Sequence, residues 1–100
     1  MTRNRMRPIH PGEVLREEFL QPLQMSAHAL SQATRVPAPR VNDIVNGKRG
    51  VTADSALRLA RYFGNSPDFW MNLQAAYDLR AAERKALVRI EREVSPREVT

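Results

Sequence analysis

The residue types that carry acid–base, nucleophilic or metal chemistry are few in this chain and badly placed for it. There are two histidines, His10 and His28, and no cysteine. Thiolate zinc sites and a disulfide framework are excluded. Two histidines far apart in sequence also fall short of the three or four converging ligands that a metal site needs. The carboxylates gather as Glu13, Glu17 and Glu18 and again in the tail. Both groups read as helix-end or solvated-face charge, not as a catalytic pair. Gly47 and Gly50 follow a helical pattern and not a strand, so no phosphate-cradling glycine loop is formed. No catalytic residue, metal site or cofactor is expected.

What remains is hydrogen-bonding and charge, concentrated in residues 26–50, SAHALSQATRVPAPRVNDIVNGKRG. This stretch reads as two short helices joined by a tight turn. In the second, Val41, Ile44 and Val45 form an inner face, and Arg40, Asn42, Asp43 and Asn46 point outward. A helix that enters a DNA groove needs that division of labour. Arginine can grip guanine, and asparagine adenine, by paired hydrogen bonds. Lys48 and Arg49 follow the helix, where a loop runs beside the phosphate backbone. The formal charge of +5 favours an anionic partner. Nucleic acid suits it better than a membrane, because there is no basic amphipathic helix with a large apolar face and no bilayer-length apolar run. The same stripe also suits the solvent side of any small helical bundle, and the charge suits simple solubility.

The elements that must position this pair follow from periodicity. One hundred residues make one compact domain, and the lack of a β-branched or alternating run predicts an all-α fold. Residues 1–8 read as a flexible basic arm with Arg3, Arg5 and Arg7 but no apolar segment behind them, so no signal peptide is expected and a cytoplasmic location follows by default. Pro11 and Gly12 open a first helix with Glu13, Glu17 and Glu18 early in it. Val14, Leu15, Phe19 and Leu23 form its buried face, and Pro22 is expected to end or kink it. His10 in the lead-in reads as a surface or packing residue. Ser26 caps the second helix, Leu30 and Ala33 face inward, and Val36 plugs the turn. The third helix begins near 37–39 with Ala38 as its cap, Pro39 in its first turn, and Gly47 as a left-handed C-cap. Thr52 caps a fourth helix with the stripe Ala53, Ala56, Leu57, Ala60 and Phe63. Ser66-Pro67-Asp68 starts a fifth with Phe69, Trp70, Leu73, Ala76 and Tyr77. Its pattern continues through Ala82 to Leu87, Ile90 and Val94, before Pro96.

VNDIVNGKRGVT, followed by ADSALRLARYFGNSPDFWMNLQ, resembles the helix–turn–helix antitoxins of the HigA type (addiction-module antidotes, VapI-like) within the phage-repressor-like XRE family. The lead-in HPGEVLREEFLQPLQMS is similar to their first helix, so the resemblance spans residues 9–78. It implies a five-helix phage-repressor-like domain over 9–79 with a dimerising last helix, and a charged helical extension or frayed tail over 80–100. It implies that Ala38, Pro39, Arg40, Asn42 and Asp43 meet bases and that Ser26, Ala27, Lys48 and Arg49 meet phosphates. It also implies a homodimer that represses its own operon at a palindromic double-stranded operator and neutralises a RelE-like, mRNA-cleaving toxin by direct binding. Three positions depart from the wider repressor pattern. Arg35 stands where glycine is usual, Ser31 where alanine is usual, and Ala38-Pro39 where polar base readers are usual.

Two further surfaces follow as expectations. Trp70, Leu73, Gln74 and Tyr77 mark the dimer seam on the fifth helix, beside its core role. Glu13, Glu17 and Glu18 mark the toxin surface, since such toxins are basic, with the tail after Ala82 as the alternative. A free-standing repressor without a toxin stays open. So does a toxin-binding module with little DNA binding, because Ala38 and Pro39 make no paired hydrogen bonds to bases.

Overall fold

The computed structural model describes residues 7–98, which form five helices. Residues 1–6 of the expected arm, with Arg3 and Arg5, and residues 99–100 lie outside the described residues. Helix α1 runs over 11–23 and is built of an α-helical turn Pro11–Val14, a π-helical segment Leu15–Leu20 and a last turn Gln21–Leu23. Helices α2 (Ala27–Thr34), α3 (Ala38–Val45), α4 (Ala53–Phe63) and α5 (Pro67–Glu93) follow.

The caps explain most of the boundaries. His10 Nδ1 accepts the Gly12 amide at 2.8 Å and starts α1. Ser26 Oγ accepts from Ala29, Thr52 Oγ1 from Ser55 and Ser66 Oγ from Asp68, each satisfying an amide of the free first turn. At the other ends, Gln24, Arg35, Gly47 and Gly64 all take positive φ. Around Gln24 the Met25 amide returns to the Leu20 carbonyl and the Gln24 amide to Gln21, at 2.9 and 3.0 Å, a paired closure that silences two orphan carbonyls.

Pro22 does not end α1. An α-helical proline collides with the carbonyl four residues back. Here the chain widens just before it, and the Gln21 amide reaches five residues back to the Arg16 carbonyl. Proline then sits inside the last turn, and the left-handed Gln24 stops the helix. The start of α3 also differs from expectation: Pro37, in extended conformation, is the cap, and Ala38 and Pro39 are the first two helical residues. Neither first-turn position uses an amide hydrogen, so proline fits there.

The core joins Leu15 and Leu20 of α1, Leu30 of α2, Val41 and Ile44 of α3, and Ala56, Leu59 and Ala60 of α4, with Val36 and Val51 from the connections. Trp70 closes one end, 0% exposed and ringed by Phe19, Phe63 and Phe69 at centroid distances of 5.1, 6.2 and 5.0 Å. Its indole N–H donates to Asn65 Oδ1 at 3.0 Å. Four inward assignments fail, Ala53 at the exposed start of α4 among them. Ala33 is exposed, and Ser31 and Thr34 are buried in its place, each hydroxyl donating to a carbonyl of its own helix at 2.6 and 2.7 Å. Leu57 is 59% exposed because the buried face of α4 runs through Ser55, Ala56, Leu59 and Ala60. Leu23 is 59% exposed, beyond the end of the core.

Helix α5 is one continuous rod across residues 79 and 80. Its 27 residues extend about 40 Å at 1.5 Å per residue. The molecule measures 56 × 25 × 24 Å, with a radius of gyration of 16.7 Å against about 13 Å for a compact chain of this length. The second half of α5 therefore projects from the body.

Candidate nucleic-acid interface

Helices α2 and α3 form the pair, joined through Arg35 and Val36. Arg35 has φ +59°, at a cost of about 1 kcal/mol for a residue other than glycine. That turn lets the Val36 amide reach the Ser31 carbonyl at 3.2 Å while its side chain drops into the core, 5% exposed.

On α3 the buried Val41 and Ile44 fix the opposite face as the outward one. Pro39, Asn42 and Asn46 are exposed along it at spacings of three and four residues, the i, i+3, i+7 geometry of one helical stripe. Arg40 and Asp43 flank the stripe, half-buried, as does Ala38. Four of the five predicted base readers are thus polar or small side chains around a proline. The proline that begins the stripe offers no hydrogen bond. Asn46 shares the stripe and its spacing from Pro39 announces it, but as the C-cap it stands about two turns from the N-terminal end, the end by which such helices meet bases.

The segment after α3 is tightly determined. Gly47 takes φ +75°, and the Lys48 and Arg49 amides both return to the Asp43 carbonyl, at 2.8 and 3.2 Å. This leaves both cationic side chains exposed beside the outward face of α3. Arg49 Nε lies 3.9 Å from Asp43 Oδ2, a loose pairing between groups that are 51% and 42% exposed. At the far side of the pair, Ser26 is exposed at the N-terminus of α2, and Ala27 is half-buried against the core.

Residues outside the pair hold it in place. Gly12 lets α1 approach α3 so closely that a Cβ there would fall 1.7 Å from the Ile44 carbonyl oxygen. The Arg16 guanidinium donates to the Val45 carbonyl at 3.2 Å and the Arg58 guanidinium to the Thr34 carbonyl at 3.2 Å, each placing positive charge at a helix C-terminus. The sequence pattern marks none of these three for such a role; Gly12 reads there only as punctuation. His10 also exceeds its expected role. Its ring caps α1, stands edge-on to Tyr77 at 4.8 Å, and faces Asp78 and the Arg49 carbonyl. Burial pushes its pKa below the ordinary value, against the pull of Asp78 and Arg49.

The expected seam residues divide. Trp70 is enclosed by its own chain and has no surface to give a second copy. Gln74 is committed within the chain, accepting the Val51 amide at 2.7 Å and donating to Asp78 at 2.9 Å. Leu73 and Tyr77 line an apolar groove of about 350 Å³ with Ile9 and Val14. Of the three carboxylates on α1, Glu13 is gripped by both arms of Arg7 at 2.8 and 2.9 Å, which lowers its pKa, and Glu17 pairs with Arg16 at 3.1 Å. Glu17 and Glu18 are exposed. Among the described residues no cluster of three metal-ligating side chains exists, and no helix is long and apolar enough to cross a membrane.

Comparisons with known proteins bear on the whole arrangement. A family model described as helix-turn-helix matches residues 15–70. Virulence-associated protein I of Dichelobacter nodosus is 56% identical over 82 residues, covering 82% of this chain and 76% of that protein. Antitoxin HigA-1 of Vibrio cholerae is 42% identical over 80 residues, covering 79% of this chain and 74% of that protein. Among solved structures, Pseudomonas aeruginosa antitoxin HigA with the higBA promoter matches with a TM-score of 0.88 and 53% identity, covering 90% of this chain and 98% of that one.

Proposed function

The chain belongs to the helix-turn-helix family and, within it, to the HigA-type antitoxins, and from that premise we propose that it is a dimeric antitoxin that represses its own operon and neutralises a RelE-like toxin by direct binding. The family is one of DNA-binding regulators and not of enzymes. The observation that carries the reading is the outward face of α3 beside a cationic loop whose backbone is tied to that same helix.

The roles follow from chemistry. Asn42 can pair with adenine and Arg40 with guanine, and Asp43 can accept from the cytosine amine. Ala38 and Pro39 suit a thymine methyl. Lys48 and Arg49 meet phosphates on one side of the groove. Ser26 and Ala27 meet them on the other, where the first amides of α2 point at an anion. A two-fold dimer doubles this readout on a palindrome. Leu73, Tyr77 and the exposed Leu87 and Ile90 of α5 supply apolar surface for it. Exposed Glu17 and Glu18 suit a basic toxin in the cytoplasm.

The test is a fluorescence-anisotropy titration of a duplex from the upstream region of the chain's own gene against a scrambled duplex, over a range of salt. Wild type should prefer its own sequence. A Lys48→Ala/Arg49→Ala variant should keep its thermal melt and bind more weakly. Its salt slope should be shallower by about 3.6, from about four neutralised phosphates per dimer at 0.9 each. Unchanged affinity and slope would refute the phosphate assignment. Co-expression with an adjacent RelE-like reading frame should relieve growth arrest and co-purify the two proteins. Tight toxin binding without selective DNA retention would choose the toxin-binding module instead.

A further inference from the structure

The loop that carries Lys48 and Arg49 is held at both ends, and its second anchor lies on a helix outside the DNA-reading pair. At the start, the Lys48 and Arg49 amides return to the Asp43 carbonyl. At the end, the amide of Val51, a residue only 4% exposed, donates to Gln74 Oε1 at 2.7 Å. An amide can only donate, which fixes the carboxamide with its oxygen towards the loop and its nitrogen towards Asp78 Oδ1, 2.9 Å away. Gly50 lies flat on the same carboxamide: a Cβ there would meet it at 2.9 Å. The next turn of α5 continues the brace, with Tyr77 carrying His10 on its edge at 4.8 Å.

We propose that Gln74 is a positioning residue for operator binding: from α5 it sets the backbone of the loop at residues 47–51, and so the reach of Lys48 and Arg49 to the phosphates. The inference rests on the assignment of those two side chains to phosphates. It moves Gln74 from a seam between copies to a brace within one copy. It also places the loop under the control of α5, whose projecting half is open to partners. Removing the carboxamide leaves the Val51 amide buried without an acceptor, and the end of the loop must shift towards water to satisfy it. Lys48 and Arg49 keep their charge but lose their fixed distance from the duplex.

Operator titrations over a salt series, with the full chain, separate the possibilities. The proteins are wild type, Gln74→Ala, Lys48→Ala/Arg49→Ala and the triple variant. Gln74→Ala should bind more weakly with a slope shallower by about 1.8, since one phosphate goes unneutralised in each half-site at about 0.9 apiece. The triple variant should match the double variant within about twofold, since the brace has nothing left to position. Gln74→Glu combined with Asp78→Asn keeps the local charge, the acceptor for Val51 and a donor–acceptor pair along α5. It should restore the wild-type slope, and it decides the matter should Gln74→Ala fail to fold. A wild-type slope in Gln74→Ala, additive losses in the triple variant, or no recovery in the swap would overturn the proposal. So would a loss that follows dissociation into monomers in sedimentation and vanishes at high protein concentration. If Lys48→Ala/Arg49→Ala itself leaves affinity and slope unchanged, the phosphate assignment fails first and the brace falls with it.

Discussion

Replacing Gly12 by alanine should damage this protein more than any local property of position 12 suggests. In the wild type, the Cβ position at Gly12 is 1.7 Å from the Ile44 carbonyl oxygen and 3.1 Å from His10 Nδ1. An ordinary carbon–oxygen approach is about 3.3 Å, so α1 and α3 must separate by roughly 1.6 Å. The Ile44 obstacle is backbone, and no rotamer change relieves it. The added methyl crowds His10 Nδ1 and strains the Gly12–His10 cap, worth about 1 kcal/mol, and separation strains the Arg16–Val45 bond, worth about 1 kcal/mol after allowance for its exposure. It also loosens the packing of Leu15 on Ile44, at about 1 to 2 kcal/mol. Against this, alanine gains up to about 1 kcal/mol over glycine in helix propensity. The net loss is about 2 to 3 kcal/mol, or a fall of roughly 10 to 20 °C in Tm for a domain of this size. Circular dichroism melts at a fixed pH measure it. Gly64→Ala is the control: its Cβ would meet nothing within 4 Å, and only its φ of +76° opposes the change, so its cost is about 1 kcal/mol. If Gly12→Ala melts at or above wild type, the close approach of α1 to α3 is not what holds α3.

Two other outcomes follow. Arg35→Gly should raise Tm by roughly 4 to 8 °C, because glycine relieves about 1 kcal/mol at φ +59°; a lower melting point would mean that the Arg35 side chain contributes more than its backbone strain costs. The second concerns pH. Burial holds the folded pKa of His10 below its ordinary 6.5, with Asp78 and the Arg49 carbonyl opposing. On acidification the unfolded chain takes up the proton first, so this contribution is complete above pH 6.5 and is lost as the pH falls through the depressed folded value. His10→Asn keeps a capping oxygen and should flatten urea-midpoint stability between about pH 7 and 5; parallel losses in wild type and variant would exclude His10 as the source.

The caps are readable in the sequence because capping is local. Ser26, Thr52 and Ser66 each bind an amide two or three residues ahead, and the chain displays that spacing. Helix faces are less readable. Apolar periodicity counts residue types, so it puts Ala33 inside and misses Ser31 and Thr34, whose hydroxyls are satisfied by their own helix and need no water. In α4 it chooses Leu57 over Leu59, two leucines on opposite faces, for want of a partner surface to set the phase. At Pro22 the expected stop is displaced to Gln24, because the rule assumes an α-helical register and the chain adopts a wider one just before the proline. Gln74 carries no local sign of its bracing role, since its partner Val51 is 23 residues earlier.

The same contrast between local and distant partners governs the reading surface. The stretch at residues 26–50 supplies the chemistry, but helices outside it supply the geometry: Arg16 from α1 ends α3, Arg58 from α4 ends α2, and Gln74 from α5 ends the loop. On the proposed reading, with Pro39 at the N-terminal end of the outward face, hydrogen-bonded readout falls to Asn42 on the stripe and to Arg40 and Asp43 flanking it. Asp43 is not idle in the free protein, because Arg49 stands 3.9 Å from its carboxylate. Both groups are partly exposed, and such a pair contributes at most about 1 kcal/mol. A phosphate competes for Arg49 with an equal single charge, among a row of others along the backbone, and with the gain from counterion release. On the proposed reading, docking therefore moves Arg49 to the backbone and frees Asp43 to accept from a base in the same step. The loop that supplies affinity would then also uncover a residue that supplies specificity. On the same reading, non-specific duplex would draw Arg49 away and leave the carboxylate facing whatever base lies beneath it, repelling those that present only acceptors.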